Sequence, residues 1–278
     1  MRYVPGKDGE DIPLTVFHKK NMKFDRKNKV LLVGYGAYGL NLETGFDAVF
    51  LTAVEQGWVI AYAHIRGGHE KGREWHEKGK LLNKPMVIED FRACAYFLIQ
   101  TGYTHPNYLA AYGQSSGGAV VAQAINLEPN LFRAAIISHP FVDILSTLLD
   151  KSLPLTIPDY QEYGNPYEKE TYFTMMSYSP YENISVQEYP AMMISLSLED
   201  PRVPSWGTLK YIEKLRNKAK EPTRLPNFYE KNIVVNIEDS GHFGPISPDL
   251  SLKNKIWEMM WLDKMLYEKD VFNIPETL

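Results

Sequence analysis

A serine flanked by glycines, a distant histidine and an acid between them are the residues of this chain best equipped for chemistry. Ser115 lies in Gly113-Gln114-Ser115-Ser116-Gly117-Gly118, a Gly-x-Ser-x-Gly-Gly sequence. A serine hydroxyl is a weak nucleophile until an imidazole takes its proton, and that imidazole must be held by a carboxylate. Only two histidines follow Ser115. His139 comes 24 residues later, which leaves no room for an intervening strand bearing the acid. His242 stands in Asp239-Ser240-Gly241-His242-Phe243-Gly244, just past the apolar run Ile233 to Ile237. The acid should end the preceding strand, and Glu199-Asp200-Pro201-Arg202 does follow Ala191 to Leu198. On spacing alone, Glu199 and Asp200 serve equally. Such a set performs acyl transfer through a covalent intermediate.

The elements around Ser115 have the order that such a nucleophile needs. Tyr108 to Tyr112 reads as a short buried strand, and Ala119 to Ile125 as a helix of small and aliphatic residues. Strand, tight turn and helix make a nucleophile elbow, in which a side chain at Gly113 or Gly117 would collide with the neighbouring strand or helix. In the α/β-hydrolases the acid and histidine follow the serine in that order. The rest of the chain alternates in the same manner. Residues 1–29 suggest a β-hairpin turning at Asp8-Gly9 and then a charged connector. Val30 to Val33, Trp58 to Ala63, Ala134 to Ile137 and Ala191 to Leu196 are continuous apolar runs, suited to a parallel sheet covered on both faces. Helical spacing appears at 46–55, at Val87, Ile88, Phe91, Ala95, Leu98 and Ile99, at Leu209 and Ile212, and from Leu252 to Leu266. Residues 65–85 read as a long polar loop, 139–190 as a Pro-rich irregular insertion, and 217–231 as a charged connector. One α/β domain spanning 1–278, with a mostly parallel central sheet, is the economical expectation.

Composition removes several classes. A net charge of −4 gives no electrostatic reason to expect nucleic acid or an anionic membrane as partner. No apolar run approaches ~18 residues, and Met1-Arg2-Tyr3-Val4-Pro5 lacks the apolar core of a signal peptide. The single Cys94 rules out an internal disulfide and suits a reducing compartment, so a cytoplasmic location is expected. Gly34-Tyr35-Gly36-Ala37-Tyr38-Gly39 matches a dinucleotide fingerprint after a strand, but the next strand ends Tyr62-Ala63-His64-Ile65-Arg66 without the acid that would hold a ribose. His69, Glu70 and His76 do not make a zinc motif, since position 73 is Arg73. No cofactor or metal is expected. The lysine-rich stretch 19–31 and the charges of 213–231 read as solvated surface.

From Tyr3 to about Leu266 the sequence resembles the catalytic domain of the prolyl oligopeptidase family of serine peptidases, most closely its oligopeptidase B branch. The resemblance rests on Gly34 to Gly39, Arg66-Gly67-Gly68, Gly79-Lys80-Leu81-Leu82-Asn83-Lys84, Ser115 to Gly118 and Tyr163-Gly164-Asn165-Pro166. Ser177-Tyr178-Ser179-Pro180-Tyr181, Asp200-Pro201-Arg202-Val203 and Ser240-Gly241-His242 complete it. It implies an α/β-hydrolase fold, Ser115 as nucleophile, His242 as base and Asp200, not Glu199, as the orienting acid. It also implies an oxyanion hole from Tyr35 and the Ser116 amide, and substrate contacts from Tyr38 and Arg202.

Oligopeptidase B cleaves after Lys or Arg, using acidic pairs that align with Asp159 and Gln161 and with Glu43 and Gly45. Each pair keeps one acid here, and Glu162 stands nearby. The expected substrates are therefore peptides cut after a basic residue, with a shallower preference than in the two-acid relatives. Family members also carry a β-propeller before this domain. A chain lacking it would leave its active-site face open to self-association or to a separate covering chain. The competing expectations are an esterase or acylaminoacyl-peptidase using the same residues, or a non-catalytic subunit.

Overall fold

Short all-apolar runs build the centre of this molecule. The structure, a computed structural model, describes residues 1–220 and 233–267. Strands β1 (Arg2–Pro5) and β2 (Asp11–Phe17) form the expected hairpin, closed where the Gly6 amide donates to the Glu10 carbonyl. Then come β3 (Val30–Gly34), α1 (Ala48–Glu55), β4 (Val59–Ala63), α2 (Arg73–Glu77), α3 (Lys84–Gln100), β5 (Leu109–Gln114), α4 (Ser116–Leu127) and β6 (Ala134–Ser138). The helices α5 (Ile144–Leu149), α6 (Thr156–Tyr163) and α7 (Lys169–Tyr178) precede β7 (Ala191–Ser197), α8 (Ser205–Lys220), β8 (Ile233–Glu238) and α9 (Pro248–Tyr267).

Among the described residues the strands make one sheet in the order β1-β2-β4-β3-β5-β6-β7-β8. The two pairings made by β2 are antiparallel and the other five are parallel. Alternate residues of each central strand enter opposite cores. Val30, Leu32, Val59, Ala61, Ala135 and Ile137 face the core shared with α3, α4 and α8. Leu31, Val33, Ile60, Tyr62 and Ile136 face α1 and α9, through Ala53, Met259, Leu262 and Leu266. Burial on both faces is why these strands show no polar alternation. This is the α/β-hydrolase fold.

The winding of the sheet reverses at β3. From there the chain steps outward to β4, then returns to β5 on the other side. Loops leaving the carboxyl ends of β3 and β5 thus diverge and open a crevice, the place where α/β folds bind ligands.

Four sequence expectations need correction. Residues 65–85 are not one loop: Trp75 is buried and anchors α2, and a tight turn at Leu81–Asn83 leads into α3. The 139–190 segment is not irregular, for its prolines punctuate α5, α6 and α7 instead of preventing them. Pro158 sits inside the first turn of α6, where a missing N–H costs no helical bond. The first helix starts at Ala48, because the Asp47 side chain caps it by accepting from the Val49 and Phe50 amides. Part of the expected connector at 217–231 belongs to α8, and its remainder lies outside the described residues.

Candidate active site

The Ser115 backbone is held in a conformation few side chains tolerate. Its φ is 56° and ψ −121°, between the last residue of β5 and the first of α4. Its amide donates to the Ser138 carbonyl at 2.9 Å, and its carbonyl accepts from the Phe141 amide at 3.1 Å. The turn needs its glycines for space. A Cβ on Gly113 would lie 2.1 Å from the Gly117 carbonyl oxygen, and one on Gly117 would lie 2.4 Å from the Gly34 oxygen. This geometry lifts the Ser115 side chain over the carboxyl end of β5, at the crevice beside β3.

His242 and Asp200 arrive from the ends of β8 and β7. The His242 Nε2 is 2.9 Å from Ser115 Oγ, and its Nδ1 is 2.6 Å from Asp200 Oδ2. An ionised carboxylate only accepts, so Nδ1 carries the proton and Nε2 is free to take one from the serine. The other Asp200 oxygen accepts from the Arg202 and Val203 amides at 2.8 and 2.9 Å. Burial works to raise the Asp200 pKa, but the His242 bond and these two amides outweigh it and hold the carboxyl below its usual range. Glu199 is exposed. The acid that reaches the imidazole is Asp200.

The remaining sequence candidates divide between the crevice and the outside. Ser115, Ser116, His242, Tyr35, Tyr38, Asp159 and Arg202 line one cavity of about 470 Å³. The Ser116 amide, first in α4, has no helical acceptor, as at any helix start. Tyr35 follows β3 directly, and its hydroxyl has no hydrogen-bond partner among the described residues. Burial, then the negative charge of Glu162, pushes the Tyr35 phenol up to about 12; Arg202 opposes this and Asp159 adds to it. A phenol so shifted keeps its proton and can donate.

Also lining the cavity, the Tyr38 hydroxyl donates to Asp159 Oδ1 at 3.1 Å. Burial lifts the Asp159 carboxyl to about 6, against the Tyr38 bond. Arg202 lies over the Phe243 ring, 5.1 Å from its centroid. Glu43 is exposed and does not line the cavity. Glu162 is buried at 4% exposure, with Lys84 Nζ 2.6 Å from one oxygen and His76 Nε2 2.7 Å from the other. Its charge is therefore matched from within the protein.

Sequence reasoning missed three neighbours of the site. Tyr163 donates to Ser116 Oγ at 2.8 Å and is fully enclosed. His139, also at positive φ (43°), stacks edge-on against His242 with ring centroids 6.2 Å apart. Burial lowers its pKa, against the nearby negative charge of Glu238. The third is Lys84, and Gly79 to Lys84 was its only sequence signal. Among the described residues no group of three or more His, Cys, Asp or Glu side chains could hold a metal, and no helix is long and apolar enough to cross a membrane.

Comparison with known proteins places this site in a family. Residues 44–244 match the prolyl oligopeptidase family. A prolyl endopeptidase-like protein of Xenopus laevis is 40% identical over 232 residues, covering 80% of this chain and 33% of that protein. Protease 2 of Moraxella lacunata is 37% identical over 242 residues, covering 87% of this chain and 34% of its own length. Among solved structures, oligopeptidase B from Leishmania major superposes with a TM-score of 0.89 at 37% identity, over 95% of this chain and 36% of that one. The chain thus spans about a third of the length of these relatives. The matched segment holds the elbow, the acid and the histidine in one order, and the chain belongs to the prolyl oligopeptidase family of serine peptidases.

Proposed function

We propose that this chain hydrolyses peptide bonds through an acyl-enzyme formed on Ser115, with a preference for Arg or Lys before the scissile bond. The observation that carries the chemistry is the unbroken chain of hydrogen bonds from Ser115 Oγ through His242 to Asp200 at the floor of the cavity. In this reading His242 Nε2 removes the serine proton as Oγ attacks the carbonyl carbon. Asp200 steadies the imidazolium, and His242 then returns the proton to the departing amine. The Tyr35 hydroxyl and the Ser116 amide donate to the oxygen as it gains charge; one such donor is worth ~3 kcal/mol in the transition state. Water repeats the sequence from the other side and frees the acid product. Arg202 is the residue for a substrate carbonyl, its guanidinium held at the rim by Phe243.

Asp159 supports the basic preference. It is the acid among the residues that line the cavity, and a substrate cation there would meet a carboxylate hydrogen-bonded to Tyr38. Glu43 and Glu162 enter this reading at most indirectly, one by its exposure and the other through its pairing with Lys84. Leu40 and Phe243 line the cavity and stand exposed, and this face is where a second copy or a separate chain would dock. The lone buried thiol of Cys94 fits a reducing compartment such as the cytoplasm.

A fluorophosphonate probe tests the chemistry without needing a substrate. Mass spectrometry should place the adduct on the Ser115 peptide, and labelling should vanish in Ser115→Ala and slow by orders of magnitude in His242→Ala. Equal labelling of the His242→Ala protein would refute the assignment.

A further inference from the structure

Lys84 ends the Gly79 to Lys84 motif, and nothing in the chemistry above uses it. It is 4% exposed, a costly place for an ammonium. Three groups surround its Nζ: Glu162 Oε1 at 2.6 Å, the Gly36 carbonyl oxygen at 3.2 Å, and the face of Tyr163, 4.9 Å from the ring centroid. They come from two parts of the site, the loop after β3 and the end of α6. Gly36 follows Tyr35 in the loop after β3. Glu162 lies on α6, one turn beyond Asp159. Tyr163 donates to Ser116 Oγ, beside the amide at the head of α4.

From these contacts we infer that Lys84 is a positioning residue, which locks the Tyr35 loop to the helix carrying Asp159 and so fixes the oxyanion donors relative to Ser115. The inference rests on the catalytic reading proposed above. The backbone beneath the loop is built for the same end. A Cβ on Gly67 would lie 2.2 Å from the Gly36 carbonyl oxygen, and one on Gly79 would lie 2.1 Å from the Gly67 amide nitrogen. The loop at Gly36 therefore rests on Gly67, which rests on Gly79, and Lys84 closes the stack from the side. Three of the glycine-bearing motifs outside the elbow thus form one support.

Charge points the same way. Glu162 acts on Tyr35 and makes its phenol a poorer donor, so an unmatched carboxylate there would oppose negative charge on the substrate oxygen. Lys84 Nζ, 2.6 Å from Glu162, meets that carboxylate directly, although burial works to lower the lysine's own pKa. Stability alone is a weak reason to keep such a pair, since a buried ion pair replaced on both sides by neutral groups often leaves a fold as stable as before.

That contrast supplies the test. Lys84→Met/Glu162→Gln removes both charges together. The variant should melt near the wild-type temperature, yet its kcat on a small neutral ester and its rate of fluorophosphonate labelling should fall ~10–100-fold, with KM changed far less. Glu162→Gln alone keeps the bond from Lys84 to Gly36 and leaves an amide oxygen on α6 to accept from Lys84, so it should lose less than the double variant. A folded double variant with both rates within about twofold of wild type would overturn the inference, and so would an equal loss in Glu162→Gln. Should the double variant not fold, Lys84→Gln is read by the same two rates. A wild-type protein that is not labelled at Ser115 would overturn the catalytic reading itself, whereas labelled wild type with an unaffected double variant removes only the role of Lys84.

Discussion

Asp159 allows the specificity proposal to be tested by pH alone. Its carboxyl titrates near 6, because burial outweighs the Tyr38 hydrogen bond. A group with that pKa is ~10% ionised at pH 5 and ~90% at pH 7. An Arg substrate gains the cation–carboxylate contact only with the ionised form, whereas an uncharged isostere such as a norleucine or citrulline substrate gains nothing. The ratio of kcat/KM for the Arg substrate to that for the neutral one should therefore rise about tenfold from pH 5 to a plateau above pH 7. Taking the ratio removes the titration of the catalytic groups, which both substrates share. Asp159→Asn should abolish both the plateau advantage and its pH dependence. A flat ratio in the wild type, or a slope that survives in Asp159→Asn, would refute the placement of the substrate cation at Asp159. The same shift carries a stability consequence of definite sign. The folded pKa lies above the unfolded value, so the fold favours the protonated acid and stability is lost as pH rises from about 4 towards 6. Two pKa units correspond to ~3 kcal/mol, and partial exposure reduces this to ~1–2 kcal/mol. Asp159→Asn should accordingly raise the melting temperature at pH 8 and leave it nearly unchanged at pH 4.

Other perturbations separate the parts of the site. Tyr35→Phe removes one oxyanion donor and should lower kcat ~100-fold with little change in KM, measured on a peptide amide. Asp200→Asn leaves the histidine in the wrong tautomer and should cost ~10³–10⁴-fold in kcat while the fold persists by circular dichroism. Gly117→Ala forces a methyl against the Gly34 carbonyl and should destabilise the protein by ~1–3 kcal/mol or more, read by thermal melting, with labelling lost in parallel.

Most of the fold was legible because its strands are buried on both faces. Runs such as Val30 to Val33 and Ala134 to Ile137 have no other stable reading when Gly-rich turns and helical spacing separate them. The helices of 139–190 were not legible, and the cause is local. Proline is read as a breaker, but Pro158 stands within the first turn of α6, while Pro140, Pro166 and Pro180 fall between elements. Buried Trp75 shows the same limit in residues 65–85: polar neighbours conceal an anchor that only the three-dimensional contact reveals.

The site was legible to the extent that its chemistry follows chain order. Ser115, Asp200 and His242 each follow a strand, and distance along the sequence disposed of His139 as base. It could not reveal that the same histidine, at the end of β6, packs against His242. What could have marked that position is a gradient along the strands themselves. Four strands of the sheet turn polar at their carboxyl ends: β5 closes on Gln114, β6 on Ser138, β7 on Ser195 and Ser197, and β8 on Glu238. In a parallel sheet these ends lie side by side, and a polar group there must find a partner or a substrate. Several find partners in the loops bearing the catalytic candidates. Ser138 Oγ meets His139 Nδ1 at 3.0 Å, Ser197 Oγ accepts the Ser240 amide at 3.3 Å, and Glu238 accepts the Ser240 hydroxyl at 3.1 Å. The polar last residues of β5 to β8 thus mark which edge of the sheet carries the candidate chemistry. Lys84 escaped even this signal, because its partners Gly36 and Glu162 lie 48 and 78 residues away and meet only in the folded chain.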